Sequence, residues 1–159
     1  KKISLRTLKG KMKTFVVKVP AGIRNQEKIR LIGQGKAGIN GGKNGDLFIK
    51  VNIQNSKRFR LEGIDLYTDL RLTPWEAALG TRATIDTIDD TASVYVPKGI
   101  ESGEKVRIQG KGYKDGKGGR GDLIAEVKII VPKELTTEEE KLYKELEQIS
   151  SFNPRKRAN

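Results

Sequence analysis

The chain has 159 residues, 35% of them hydrophobic, and it contains neither cysteine nor histidine. These two absences exclude disulfides, zinc sites built from cysteine or histidine, and catalysis by a histidine base. Thirty-two basic against 20 acidic residues give a net charge of +12, which favours an acidic partner. No apolar run reaches the roughly 18–20 residues that a membrane-spanning helix needs. We therefore expect a cytoplasmic protein that binds no metal or other cofactor, has no membrane partner and is not an enzyme.

The first 53 residues contain several short runs in which apolar and polar side chains alternate, the pattern of half-buried strands. Residues 3–7 and 14–19 predict a β-hairpin, and residues 28–32 and 46–53 predict two further strands. Residues 33–45 lie between the last two strands and include six glycines, which predicts a loop.

Residues 54–63 are polar and basic around one aromatic side chain, Phe59, and we place a domain boundary there. After a predicted strand at residues 64–72, one short helix is expected. Thr73 and Glu76 have the spacing of a capping box, Pro74 suits the first helical position, and Gly80 suits the end.

The second part of the chain repeats the first. Residues 17–35 (VKVPAGIRNQEKIRLIGQG) recur 77 residues later as residues 94–112 (VYVPKGIESGEKVRIQGKG), with ten of nineteen positions identical. Each copy leaves a glycine-rich loop at Gly-Asp-Leu, and residues 83–88 match residues 3–8 at an offset of 80. The repeat predicts a mainly β protein with two tandem domains, residues 1–60 and 61–133, and a tail at 134–159.

The two copies differ in what precedes their hairpins. The second has a strand and a helix there, whereas the first begins with its hairpin at residue 1. We therefore expect the chain to be a fragment whose first domain lacks its opening strand or receives it from residues outside this chain.

The tail predicts one amphipathic helix. Thr136 and the glutamates that follow it form a helix start, and Leu142, Leu146 and Ile149 recur at helical spacing, with Tyr143 beside them. The stripe would suit packing on its own domain or a partner helix. Its position beyond the completed second copy favours self-association.

The positive charge belongs to the first copy. Residues 1–80 contain 17 basic and 6 acidic residues, a net charge of +11, whereas residues 81–159 contain 15 and 14, a net charge of +1. A basic face of this kind is most often simply solvated. Its functional interpretations are contact with a phosphate backbone or attraction of an acidic peptide tail. Phe15 is the only ring nearby, so base stacking on single strands is disfavoured and duplex binding stays open.

Two motifs are better explained by structure than by chemistry. The glycines at 33, 35 and 38 fit a dinucleotide-binding pattern, but the helix that must follow is absent from the sequence. Asp46 and Asp122 recur after a glycine at a strand start, where a turn or cap role is usual. No nucleophile, base or metal-ligand set accompanies them.

Phe59 has two interpretations. It could pack under the connection between the domains. Alternatively, Phe59 could join Ile3 and Leu5, which share one face of the first hairpin, in an exposed apolar groove that binds an extended peptide.

The duplicated frame Pro-x-Gly-Ile, Glu-Lys-[Ile/Val]-Arg, Gly-x-Gly and Gly-Asp-Leu, with Pro-Trp-Glu-Ala-Ala-Leu-Gly between the copies, closely resembles the C-terminal substrate-binding region of DnaJ-type co-chaperones. The resemblance covers essentially the whole chain. It is strongest to the zinc-free bacterial members, among them the curved-DNA-binding homologue of DnaJ, which has a similar Ser-Phe-x-Pro-Arg ending.

The resemblance implies two tandem β-sandwich-like domains, a C-terminal dimerisation helix and capture of non-native polypeptide by the first domain. It places Ile3, Leu5 and Phe59 in the client groove and the residues Leu142, Tyr143, Leu146 and Ile149 in the homodimer. It also implies that Lys1 or Lys2, with Arg6 nearby, meets the acidic tail of a DnaK-class chaperone or DNA. A chain without the His-Pro-Asp motif would bind clients without stimulating ATP hydrolysis.

Two functions follow as hypotheses. The first is a co-chaperone module that binds unfolded polypeptides and delivers them to a DnaK-class chaperone. The alternative is a nucleoid-associated protein that binds DNA through the basic first domain, with a correspondingly strong dependence on salt.

Overall fold

The computed structural model describes residues 1–6 and 10–156. This part of the chain is mainly β, as expected, and its elements in chain order are β1 (Lys2–Arg6), β2 (Met12–Val16), β3 (Lys28–Leu31), β4 (Leu47–Lys50), β5 (Arg60–Glu62), β6 (Asp65–Leu72), α1 (Pro74–Leu79), β7 (Thr81–Asp86), β8 (Thr91–Val96), β9 (Lys105–Ile108), β10 (Leu123–Ile129) and α2 (Thr137–Ile149). The end of the predicted first strand at Thr7 and the end of the basic tail at Arg157 lie outside the described residues.

The second copy forms a sheet covered by a hairpin. The sheet has the strand order β5-β6-β10-β9, in which β6 and β10 are parallel and the outer pairs are antiparallel. The β7–β8 hairpin packs against one face and α1 closes the end. Apolar side chains that alternate along these strands form the core, whose buried members are Leu70, Leu72, Ala77, Ile85, Val94, Val96, Ile100, Ala125 and Val127.

The first copy is built from two hairpins, β1–β2 and β3–β4, which correspond to β7–β8 and β9–β10. In the second copy, β10 is flanked on one side by β9 and on the other by β6. Within residues 1–6 and 10–156, no strand lies beside β4 in the position that β6 occupies beside β10. One edge of β4 is therefore open in the described structure.

The hairpin register corrects one sequence alignment. The offset of 80 makes Leu5 the counterpart of Ile85. In the structure, Ile3 lies opposite Phe15, and Ile85 lies opposite Ala92. Phe15 and Ala92 are equivalent at the offset of 77 that the repeat establishes, so Ile3 is the counterpart of Ile85. The sequence missed this because a slip of two residues leaves every side chain on the same face of a strand.

Both helices begin as the sequence predicts. In α1, Thr73 Oγ1 accepts from Glu76 N and the Glu76 carboxylate accepts from Thr73 N, with Pro74 in the first turn and Gly80 at the end. Thr136 and Glu139 form the same reciprocal pair at the start of α2. By contrast, β5 was not predicted, because three residues reading Arg-Leu-Glu carry too little periodicity to identify a strand.

The two copies touch through their loops. The Tyr113 hydroxyl donates to Ile23 O at 2.8 Å, and Arg24 Nη1 donates to Gly63 O at 3.4 Å. Beside these bonds the backbones of Gly22 and Gly116 approach so closely that a Cβ on Gly22 would overlap Gly116 N. A turn of the first copy is therefore seated on the glycine-rich loop of the second.

Candidate functional site: an apolar hairpin face and a basic surface

The β1–β2 hairpin presents apolar side chains on one face. Ile3 lies opposite Phe15 and Leu5 lies opposite Lys13, and residues opposite each other in an antiparallel pair point to the same side. Ile3 and Phe15 are half-buried, and Leu5 is 38% exposed. The counterpart of Ile3 in the second copy, Ile85, is only 7% exposed within the core. Within the described residues, Ile3 is thus less buried than its counterpart in the second copy.

The structure places Phe59 in a different location. Phe59 is half-buried and lines a cavity of about 420 Å³ in the second copy, together with Leu70 of β6 and Ile85 of β7. Ile3 and Leu5 are not among the residues that line this cavity. Ser56 Oγ holds the Phe59 segment in a tight turn by accepting from Phe59 N at 2.9 Å. This arrangement matches the packing interpretation of Phe59.

The three basic residues assigned to a partner tail or DNA are exposed. The backbone nitrogen of Lys1 donates to Val17 O at 2.7 Å, next to the first pair of the hairpin. Lys2 and Arg6 alternate with Ile3 and Leu5 along β1, so their side chains leave the opposite face. Neither Lys2 nor Arg6 therefore borders the apolar face directly.

The residues assigned to dimerisation form the exposed side of α2. Leu142, Leu146 and Ile149 are 64%, 56% and 81% exposed, and Tyr143 is half-buried. No residue of α2 is fully buried. An isolated helix of this length is marginal in water, so its stability depends on burying its apolar side against something.

Asp46 and Asp122 have matching partners in the two copies. Asp122 accepts from Gly110 N at 2.8 Å and from Arg107 Nη1 at 2.7 Å. Asp46 likewise accepts from the Gly33 backbone and from Arg30. The pKa of each aspartate lies below its ordinary value. The larger cause is the hydrogen bond from the glycine N–H, and the second is the hydrogen bond from the arginine. Both carboxylates thus fasten a turn to a strand start, which extends the predicted turn role.

A second repeated contact joins the end of the hairpin to the loop that follows the third strand of each copy. In the second copy, Lys111 Nζ binds the Asp90 carboxylate at 2.6 Å. In the first copy, Lys13 Nζ donates to Gln34 Oε1 at 2.8 Å. Sequence analysis missed this contact, although the alignment at an offset of 77 places Lys13 against Asp90 and Gln34 against Lys111.

Among residues 1–6 and 10–156, no group of three or more acidic side chains is placed to hold a metal ion. In the same part of the chain, no helix is both long enough and apolar enough to cross a membrane.

Known proteins share this frame. The DnaJ C terminal domain family matches residues 1–132. The chain is 40% identical to a curved DNA-binding protein of Pseudomonas putida over 143 residues. These aligned residues cover 90% of this chain and 45% of that relative. A curved DNA-binding protein of Pseudomonas syringae pv. tomato gives 40% identity over 143 residues, 90% of this chain and 46% of the relative. A curved DNA-binding protein of Coxiella burnetii is 36% identical over 146 residues, which cover 92% of this chain and 46% of that relative.

The chain spans about half the length of these curated relatives. The family is a co-chaperone family and not an enzyme family. Its match extends from β1 through the end of β10, so it includes both copies of the repeat and the helix between them. This confirms the resemblance drawn from the repeated motifs, and the chain belongs to the DnaJ C-terminal domain family.

Proposed function

We propose that this chain is the client-binding part of a DnaJ-type co-chaperone. It holds extended apolar segments of non-native polypeptides on the first copy and presents them, as a homodimer, to a DnaK-class chaperone. The supporting observation is the β1–β2 face around Ile3, Leu5 and Phe15. Leu5 is exposed and Ile3 and Phe15 are half-buried, whereas Ile85, the counterpart of Ile3, belongs to a packed core.

An extended peptide could bind here by two kinds of contact. Its apolar side chains would pack on the hairpin face, where burial of one large aliphatic group contributes about 1.5–3 kcal/mol. Its backbone would pair with an edge strand of the first copy, which adds one strand to a sheet. Backbone pairing is independent of sequence, so this combination suits a protein that binds many unfolded chains.

Dimerisation through α2 would strengthen weak binding. The exposed stripe of Leu142, Leu146 and Ile149 is apolar along one side of a helix that has no buried residue. Two client sites held in one dimer act on one unfolded chain with a raised effective concentration, so the avidity exceeds the affinity of either site.

The test is fluorescence anisotropy of a labelled, extended apolar peptide at low and at high salt. We expect the variant Ile3→Ser/Leu5→Ser to bind about tenfold or more weakly, because each change removes apolar burial. The control is Met12→Ser/Val16→Ser, which removes two exposed apolar side chains from the opposite face of the same hairpin. Equal loss in both variants, or peptide binding that disappears at high salt, would contradict the client-binding proposal.

A second candidate function is DNA binding, favoured by the difference in charge between the copies. Residues 1–53 contain 13 basic and 2 acidic residues, a net charge of +11, whereas residues 64–132 contain 10 and 11, a net charge of −1. One fold thus occurs twice with very different charge. The relatives above are named curved DNA-binding proteins. Duplex binding by this chain should then weaken steeply with salt and change little on apolar substitution.

A further inference from the structure

The repeated contact between hairpin and loop has the opposite polarity in the two copies. Lys111 of the loop binds Asp90 of the hairpin end in the second copy, whereas Lys13 of the hairpin binds Gln34 of the loop in the first. Both pairs are 21 residues apart in sequence. The lysine therefore belongs to the loop in the second copy and to the hairpin in the first. In the first copy its partner is an amide oxygen and not a carboxylate.

A neighbouring ion pair is also missing from the first copy. In the second, Arg120 binds Asp89 at 2.5 Å, and Lys111 and Thr87 keep the pKa of Asp90 below its ordinary value. Asp89 corresponds to Met12 at the offset of 77. Arg120 lies two residues before Asp122 and so corresponds to Asn44, two residues before Asp46, and neither Met12 nor Asn44 carries a charge. At these four positions the second copy thus balances two cations against two anions, whereas the first copy has one cation, Lys13, and no anion.

The two carboxylates of the first copy are already bound within it. Glu27 accepts from Arg24 N at 2.7 Å, and Asp46 binds Arg30. Across the described residues, no ion pair includes a residue of β1 or β2, and none includes Lys36 or Lys43. Within the described residues, the charges of Lys11, Lys13 and Lys36 are therefore not neutralised by an ion pair.

We propose that the hairpin end and the loop it contacts bind the phosphate backbone of duplex DNA, through a basic face defined by Lys11, Lys13 and Lys36. All three side chains are exposed, and Lys36 follows Gln34 by two residues. In the second copy the position of Lys36 is taken by Tyr113, which is used in the contact between the copies. This inference rests on the proposed DNA-binding role and says where on the molecule it resides.

The chemistry of the face favours a duplex over a single strand. Lys13 Nζ lies 5.3 Å from the centroid of the Phe15 ring. Phe15 is also half-buried, so it offers no open platform on which bases could stack. Lysine ammonium groups contact phosphate oxygens without reading bases, so binding at this face should be independent of sequence.

The experiment measures the affinity of the chain for a labelled duplex across a salt series. In Lys11→Gln/Lys13→Gln, loss of two phosphate contacts should make the slope of log K against log salt less negative by about 1.8. The matched control, Lys98→Gln/Lys117→Gln, removes the same charge from two exposed lysines of the second copy and should leave the slope nearly unchanged. A third variant, Lys13→Asp/Gln34→Lys, reproduces the ion pair of the second copy, so it should lose duplex affinity while keeping the hairpin folded.

The outcomes distinguish failure of the proposed basic face from failure of DNA binding as such. If the chain binds duplex and the Lys11/Lys13 variant has the wild-type slope, the basic face is refuted while DNA binding stands. Equal losses in the face variant and its control would also refute it, since net charge alone would then explain the affinity. If the unmodified chain binds no duplex at any salt, the DNA-binding role itself fails. Loss of affinity for a polyglutamate peptide alone would assign the face to an acidic peptide instead.

Discussion

Asp46 and Asp122 show how one carboxylate holds a turn against a strand in each copy. Each accepts a backbone N–H of a glycine 12 or 13 residues earlier, at 2.8 Å, as well as an arginine. The sequence showed that the two aspartates recur but not what they bind, because the glycine becomes a neighbour only when the hairpin closes.

We predict that Asp122→Asn lowers the melting temperature at neutral pH. The pKa of Asp122 lies below its ordinary value because Gly110 N–H and the Arg107 guanidinium favour the carboxylate. A lowered pKa stabilises the fold above the unfolded value of about 3.9 and loses that effect as pH falls through the folded value. The melting-temperature gap between wild type and variant should therefore narrow below about pH 4. Thermal unfolding followed by circular dichroism at several pH values measures this gap, and Glu147→Gln, at an exposed position, is the control. A melting-temperature gap that does not depend on pH would refute the prediction.

At the scale of elements, α1 is the segment that sequence describes most fully. Its reciprocal bonds between Thr73 and Glu76 follow from two residues at fixed spacing, and Ala77 anchors it in the core. We predict that Thr73→Ala destabilises the protein by about 1 kcal/mol, because Glu76 N loses its acceptor. Chemical denaturation measures this directly. Thr73→Ser, which keeps a hydroxyl acceptor, should retain most of the stability, and an equal loss in both variants would contradict the capping role.

The exposed side of α2 leads to a prediction about assembly. We predict that Leu146→Asp converts the proposed dimer to a monomer, because it places a charge in the centre of the apolar stripe. Light scattering reports the mass, and Gln148→Asp, at a neutral and exposed position of the same helix, tests whether the added charge alone has this effect. A mass that is unchanged in Leu146→Asp would exclude α2 as the dimer interface.

At the scale of the whole molecule, the contact between the copies joins a turn of the first to the glycine-rich loop of the second. Gly22 and Gly99 are equivalent in the repeat and have φ of 80° and 77°. A Cβ on Gly22 would overlap the Gly116 backbone, whereas one on Gly99 would meet nothing within 4 Å. The contact is therefore made by one copy of the turn and left unused in the other.

This pair allows a matched test of the contact. Gly22→Ala and Gly99→Ala should both cost about 1 kcal/mol for a left-handed residue with a side chain. Gly22→Ala should cost more, because it also forces the two copies apart, and it alone should increase the radius of gyration in small-angle scattering. Equal stability losses with unchanged scattering would show that the contact does not hold the copies together.

Sequence reasoning succeeded where the signal is local or repeated. The capping residues of α1 and the frame shared by residues 17–35 and 94–112 predicted the helix, the strands and the family. It failed where the structure depends on distant partners. The sequence does not show that Phe59 lines a cavity with Leu70 and Ile85, and the register of Ile3 depends on pairing across the hairpin. Periodicity assigns a strand face but carries no information about which residues meet on it.

The measurement that tests the central claim most directly is an amide NMR titration of the chain with an unlabelled, extended apolar peptide. The proposal places the client on the first copy, so the resonances of β1, β2 and β4 should shift. Those of the equivalent strands β7, β8 and β10, which have the same fold but a filled core, should stay in place. Shifts of similar size in both copies, or shifts confined to the second, would contradict the assignment of client binding to the open face of the first copy.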